Sequence, residues 1–167
     1  SSDEGISVGL GSYHNRIINN TIVSSTNYGV SLVSVSLDIV NNTIRGNYLE
    51  KNPNGIYLAG AWNSTVINNN LTNGTDGIIL DSDSNDKLIN NDVRNMSGYS
   101  IRDYGGHSVR NQLVYNNSFG EIRWFNDSKS FLANMTLKGN IGLSTNLSIR
   151  NNTVELITTA FTQGSIN

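Results

Sequence analysis

Apolar residues in this chain come in short bursts in which every second position is hydrophobic, and the three- and four-residue spacing of a helix face is missing. Ile56 and Leu58, then Ile78 and Leu80, recur at every second position, the pattern of a strand with one face buried. Between the bursts lie Gly, Asn, Asp and Ser, the residues that make turns. The pattern predicts many strands of four to six residues and no helix.

The bursts also recur. Gly55-Ile56-Tyr57-Leu58 leads to Val66-Ile67-Asn68-Asn69-Asn70-Leu71, and 22 residues on Gly77-Ile78-Ile79-Leu80 leads to Leu88-Ile89-Asn90-Asn91-Asp92-Val93. Glycines that open such a segment fall at positions 5, 29, 55, 77, 98, 120, 142 and 164. A fixed period of this size makes each copy one unit stacked on the next. Parallel strands normally need a long crossover, and a chain that coils so that each turn stacks on the last meets that need with turns alone. The expected fold is all-β: a parallel β-helix, or solenoid, of about seven coils of roughly 22 residues, occupying residues 1–167 as a single domain. Neither end of the chain carries a recognisable cap, so it reads as a segment of a longer surface protein or as a filament subunit that stacks end to end.

Composition sharpens this picture. Only 14% of residues are charged, while there are 28 Asn and 33 Ser plus Thr, so polarity comes from amides and hydroxyls. The net charge of -2, with basic residues spread singly, gives no basic face for nucleic acid. No Cys is present, and no apolar run approaches the length of a membrane span. The lack of Cys does not by itself choose a compartment.

Two roles compete for the asparagines. Stacked in register, amide side chains hydrogen-bond to their equivalents above and below, and Asn20, Asn42, Asn69, Asn91, Gln112 and Asn134 are expected to form such a ladder. Eleven Asn also precede Ser or Thr by two positions with no intervening Pro, about twice the number that composition alone would give. Ten are candidate N-glycan acceptors: Asn19, Asn41, Asn63, Asn70, Asn73, Asn95, Asn116, Asn126, Asn146 and Asn151. The eleventh, Asn134, claims both roles. Side chains alternate faces along a strand, so an inward Asn20 or Asn42 leaves Asn19 or Asn41 outward.

The repeated Gly-Ile-x-Leu and Val-Ile-Asn-Asn-Asn-Leu segments resemble the right-handed parallel β-helix repeat of NosD-like proteins and of carbohydrate-binding and sugar-hydrolysing domains. The likeness runs over essentially the whole chain and is strongest at 55–93. It implies membership of a group that contains polysaccharide lyases, hydrolases and epimerases, phage tailspikes, a copper-maturation accessory protein and archaeal surface proteins. The abundance of Asn, the lack of Cys and the many acceptor sites are most similar to the archaeal surface branch, which implies an extracellular location at the cell surface. Fold likeness alone does not select a function.

Two functional classes follow. The first is a structural or adhesive segment of an N-glycosylated surface-layer or filament protein, with covalent N-glycans, carbohydrate or neighbouring surface chains as partners and no cofactor. The second is a polysaccharide-binding or polysaccharide-cleaving domain. Cleavage needs a carboxylate and an acid or base converging on one face, and the nearest candidates are Asp81, Asp83, Arg102, Asp103 and His107. Aligning Gly77 with Gly98 sets Asp81 above Arg102 and Ser82 above Asp103. Asp81, Asp83 and Asp86 also form an acidic cluster, but at a spacing that matches no calcium loop. His14 and His107 are far apart in sequence, with Met96 and Met135 near neither, so no soft-metal site is expected.

Overall fold

A computed structural model describes residues 3–35, 39–82, 85–103 and 112–119 with their side chains. Further along it describes the strands Ile122–Trp124, Phe131–Ala133, Thr136–Leu137, Ile141–Leu143, Ser148–Arg150, Thr153–Val154 and Ser165–Ile166. All elements are strands, and all pair in parallel with the equivalent strand one turn away.

Three long sheets result. The first runs through Glu4–Val8, Tyr28–Val33, Asn54–Ala59, Asp76–Asp81 and Ile101–Asp103. The second starts with Arg16–Ile18, Thr43–Arg45, Thr65–Ile67, Lys87–Ile89 and Leu113–Tyr115. The third starts with Thr21–Val23, Tyr48–Glu50, Asn70–Thr72, Asp92–Arg94 and Ser118–Phe119. A small fourth sheet, Ile39–Val40 with Ala61–Trp62, lies between the first and second. The protein is a parallel β-helix.

Alternation along each strand sends one row of side chains inward, and stacking turns these into columns. Ile17, Ile44, Val66, Leu88 and Val114 form the column of the second sheet. Ile22, Leu49, Leu71, Val93 and Phe119 form that of the third. Most of these side chains are fully buried, and they meet Val30, Leu32, Ile56, Leu58, Ile78 and Leu80 of the first sheet in one continuous core. The core is narrow, which explains the leading glycines. A methyl group on Gly55 would lie 2.5 Å from Leu71 Cδ2 and 2.5 Å from the carbonyl oxygen of Gly77, so the first and third sheets approach too closely there for any side chain.

The repeat is less regular than the glycine spacing implies. In the second sheet the step is 22 residues from Thr43 to Thr65 and again to Lys87, then 26 to Leu113, 18 to Phe131 and 17 to Ser148. The regular portion amounts to about four turns rather than seven uniform ones. The glycine frame ends at Gly77. Ile78 pairs with Ile101, so the partner of Gly77 is Ser100, not Gly98. Gly98 lies two residues earlier in a turn held by the Asp76 carboxylate, which accepts the Tyr99 amide at 2.8 Å.

Candidate functional site

What the chain repeats most faithfully is its corners. Before the second- and third-sheet strands of the first coils, and again after the third, one residue takes a left-handed backbone: His14, Asn41, Asn63 and Asn85 at the first corner, Asn19, Gly46, Asn68, Asn90 and Asn116 at the second, and Ser24, Lys51, Asn73 and Asn95 at the third, all with φ between 51° and 64°. Gly and Asn tolerate this region best. The bend breaks the simple alternation of the strand, so this residue faces solvent and the following one turns inward.

The inward residues form hydrogen-bonded rows. At the second corner the row is Asn20, Asn47, Asn69, Asn91 and Asn117. Oδ1 of Asn91 accepts both the backbone amide of Asn69, at 3.1 Å, and its Nδ2, at 2.9 Å. Asn91 Nδ2 then donates to Asn117 Oδ1 at 3.0 Å and to the Val66 carbonyl at 2.9 Å. The same four bonds recur at Asn69 and Asn47. Each amide thus occupies the buried backbone groups that the bend leaves over, which would otherwise be costly.

Asn42 and Gln112 do not stand in this row. They stand at the first corner with Asn15, Ser64 and Asp86, because counting from the glycines confuses the two corners when the intervening loop changes length. Asn15 donates to Asn42 Oδ1 through both its amide, at 2.8 Å, and its Nδ2, at 3.1 Å. Below them Ser64 donates its backbone amide to Asp86 Oδ1 at 2.7 Å, and Gln112 Nε2 reaches Asp86 Oδ2 at 3.3 Å. Asp86 is fully buried, and burial pushes its carboxyl up to about 8 despite the two donors. A shorter row, Ser25 with Asn52, occupies the third corner. Asn134 lies outside the described residues.

Of the acceptor candidates, Asn19, Asn41, Asn63, Asn73, Asn95 and Asn116 are exposed at left-handed corner positions. Asn70 differs. It sits within the third sheet between Tyr48 and Asp92, half-buried, with its Oδ1 shut away from solvent. Asn126, Asn146 and Asn151 lie outside the described residues.

The candidates for cleavage chemistry do not converge as the glycine alignment implies. Arg102 pairs with Ile79 rather than Asp81, and Asp103 with Leu80. Asp103 thus stands in a core column, where it is buried. Arg102 makes a 2.9 Å ion pair with Asp76 and lies 5.9 Å from the centre of the Tyr99 ring. Asp81 accepts the Tyr57 hydroxyl at 3.0 Å, and Tyr57 stacks on Tyr28 with ring centres 4.7 Å apart. Asp83 and His107 lie outside the described residues.

The architecture defines a class, the parallel β-helices whose corners are closed by stacked polar side chains. Within it, a family model described as "Periplasmic copper-binding protein (NosD)" matches residues 1–141, and the chain belongs to the NosD family. No curated protein and no solved structure matches it. The family is periplasmic, in keeping with a β-helix domain on the outer side of the cytoplasmic membrane. Among the described residues no helix is long and apolar enough to cross a membrane.

The copper of the family description finds a poor donor set here. Copper sites favour thiolate, thioether and imidazole, yet the chain has no Cys. Among the described residues no three of His, Cys, Asp and Glu gather. His14, before the second sheet, and Met96, after the third, belong to different corners of different coils. The described residues do not fit a copper centre.

Proposed function

We propose that this chain is a structural segment of an N-glycosylated extracellular protein of surface-layer or filament type, working as a stiff rod that presents sugar along its corners. The observation that carries this reading is the exposure of six acceptor asparagines at corner positions, each outside the hydrogen-bonded row. A glycan on Asn19 or Asn41 leaves the inward amide of Asn20 or Asn42 untouched. The β-helix suits the task because every coil is braced by its neighbours through backbone pairing. Sugar-bearing rods of this kind associate with carbohydrate or with adjacent copies and need no cofactor. Mass spectrometry of the protein purified from its source tests the proposal: hexose is expected on several of the six corner asparagines, and a chain of bare polypeptide mass sinks it.

A second reading, polysaccharide binding on the first sheet, is favoured by the stacked Tyr28 and Tyr57 with the Asp81 carboxylate beside them. Calorimetric titration with neutral and acidic oligosaccharides, repeated on Tyr57→Ala, separates the two readings. Heat that vanishes in the variant reverses the ranking.

A further inference from the structure

The corner geometry also constrains which acceptors carry sugar together. Resting on the glycan-bearing reading above, we infer that acceptors directly stacked on successive coils exclude one another, so that one and only one of Asn73 and Asn95 carries sugar on a given chain. Thr72 pairs with Arg94, so Asn73 and Asn95 are neighbours in one column, and the Asn73 amide bonds the Arg94 carbonyl. Successive coils are separated by about 4.8 Å. Two branched glycans would therefore start within one strand spacing of each other, with both Asn backbones fixed in the same left-handed bend.

Both neighbours open onto one groove of about 460 Å³, lined by Lys51, Pro53, Asn73, Gly74, Asn95 and Ser97, among others. The inward space between them is already filled: a methyl group on Gly74 would run into the Asn52 carbonyl oxygen and lie 3.2 Å from Met96 Sδ, and Met96 packs against the core. A sugar on either asparagine has this same groove beside it, and one sugar there takes the space that the other would need.

Asn41 and Asn63 form a second stacked pair, since Val40 pairs with Trp62. Asn19 and Asn116 supply the contrast. They share the second corner but are separated by Gly46, Asn68 and Asn90, so about four strand spacings, roughly 19 Å, lie between them. Those two acceptors are free to be occupied at once.

The test uses the whole protein from its natural source. Cleavage after glutamate leaves residues 51–121 on a single peptide, because no Glu lies between Glu50 and Glu121. Peptides carrying sugar on Asn73 or on Asn95 but never on both are expected, while Asn19 and Asn116, read on the separate 5–50 and 51–121 peptides, are each occupied in most copies, which requires their joint occupancy. Thr75→Ala, which removes the Asn73 acceptor pattern while leaving the corner asparagine in place, is expected to raise occupancy of Asn95 several-fold. Peptides carrying sugar on Asn73 and Asn95 at once overturn the inference, as does an occupied Asn95 that Thr75→Ala leaves unchanged. Sugar on Asn19 and Asn116 with both Asn73 and Asn95 bare also overturns it while leaving the glycan-bearing reading intact. Bare asparagine at all of these positions overturns the glycan reading first and this inference with it.

Discussion

Asn69 and Asn91 are joined by two hydrogen bonds to one oxygen: Oδ1 of Asn91 takes the backbone amide of Asn69 at 3.1 Å and its side-chain Nδ2 at 2.9 Å. Both residues are 1% exposed, so water cannot replace either bond. The second corner is in effect a one-dimensional amide crystal, and its defects should be local and costly.

Removing one amide tests this. Asn91→Ala strands the buried Asn69 amide and the Val66 carbonyl and breaks the row between Asn69 and Asn117. Each buried group left over costs about 1–3 kcal/mol, so a loss of about 3 kcal/mol is expected, read as a lowered urea midpoint. Asn91→Asp restores the acceptor but not the donor, and is expected to be at least as damaging near neutral pH. A midpoint within error of the parent for Asn91→Ala would show that the row is ornament.

The preceding residue should answer to a different rule. Asn90 is exposed with φ near 53°, and the left-handed bend is all the structure asks of it. Asn90→Gly is expected to be neutral to within about 0.5 kcal/mol. Asn90→Val, with a branched side chain in that region, is expected to cost roughly 1–2 kcal/mol. The same unfolding experiment reads both, and equal costs for Gly and Val would refute the division of labour within the Asn-Asn pair.

The leading glycines make a steric prediction. Gly55→Ala places a methyl 2.5 Å from both Leu71 Cδ2 and the Gly77 carbonyl oxygen, one of which is backbone and cannot swing away. An overpacking cost of about 1–3 kcal/mol is expected. Gly9→Ala, where nothing lies within 4 Å, is the control and should leave the melting temperature in place.

How much of this was legible follows from where the signals lie. The strands and their parallel stacking could be read because Ile56 and Leu58, Ile78 and Leu80 repeat the core columns residue for residue. The inner row at Asn69 and Asn91 could be read for the same reason. What alternation could not reveal is the left-handed bend, since a residue that breaks the period looks like one more polar strand position. The glycine count misled because Gly98 falls 21 residues after Gly77, close to the 22-residue beat, while the chain moves its register to Ser100. That slip set Arg102 and Asp103 beside Ile79 and Leu80 instead of Asp81 and Ser82 and dissolved the expected acid-base patch. The burial of Asp103 follows from its alternation with Ile101, since a slip of two residues leaves each side chain on its own face. Asp86 was hidden among ordinary turn residues. Its signal was position: Asn15, Asn42, Ser64, Asp86 and Gln112 each stand two residues before a core residue of the second sheet, Ile17, Ile44, Val66, Leu88 and Val114.

That buried carboxyl gives the chain a pH dependence opposite in sign to the common one. Burial raises Asp86 from 3.8 to about 8, the Ser64 and Gln112 hydrogen bonds only partly opposing the shift. Between those limits the folded state holds a proton that the unfolded chain has released, so stability falls as pH rises. The contribution is fully present below about pH 4 and is lost as the pH climbs through about 8, with a slope of at most about 1.4 kcal/mol per pH unit. Asp86→Asn keeps the shape and puts a neutral amide into a row that already contains Asn15, Asn42 and Gln112. The variant is expected to match the parent near pH 4 and to melt several degrees higher at pH 8, so that its melting temperature varies less between pH 4 and 9. Parallel pH curves for the two chains would mean that Asp86 is not desolvated, and that the first corner is open to water where the core beside it is closed.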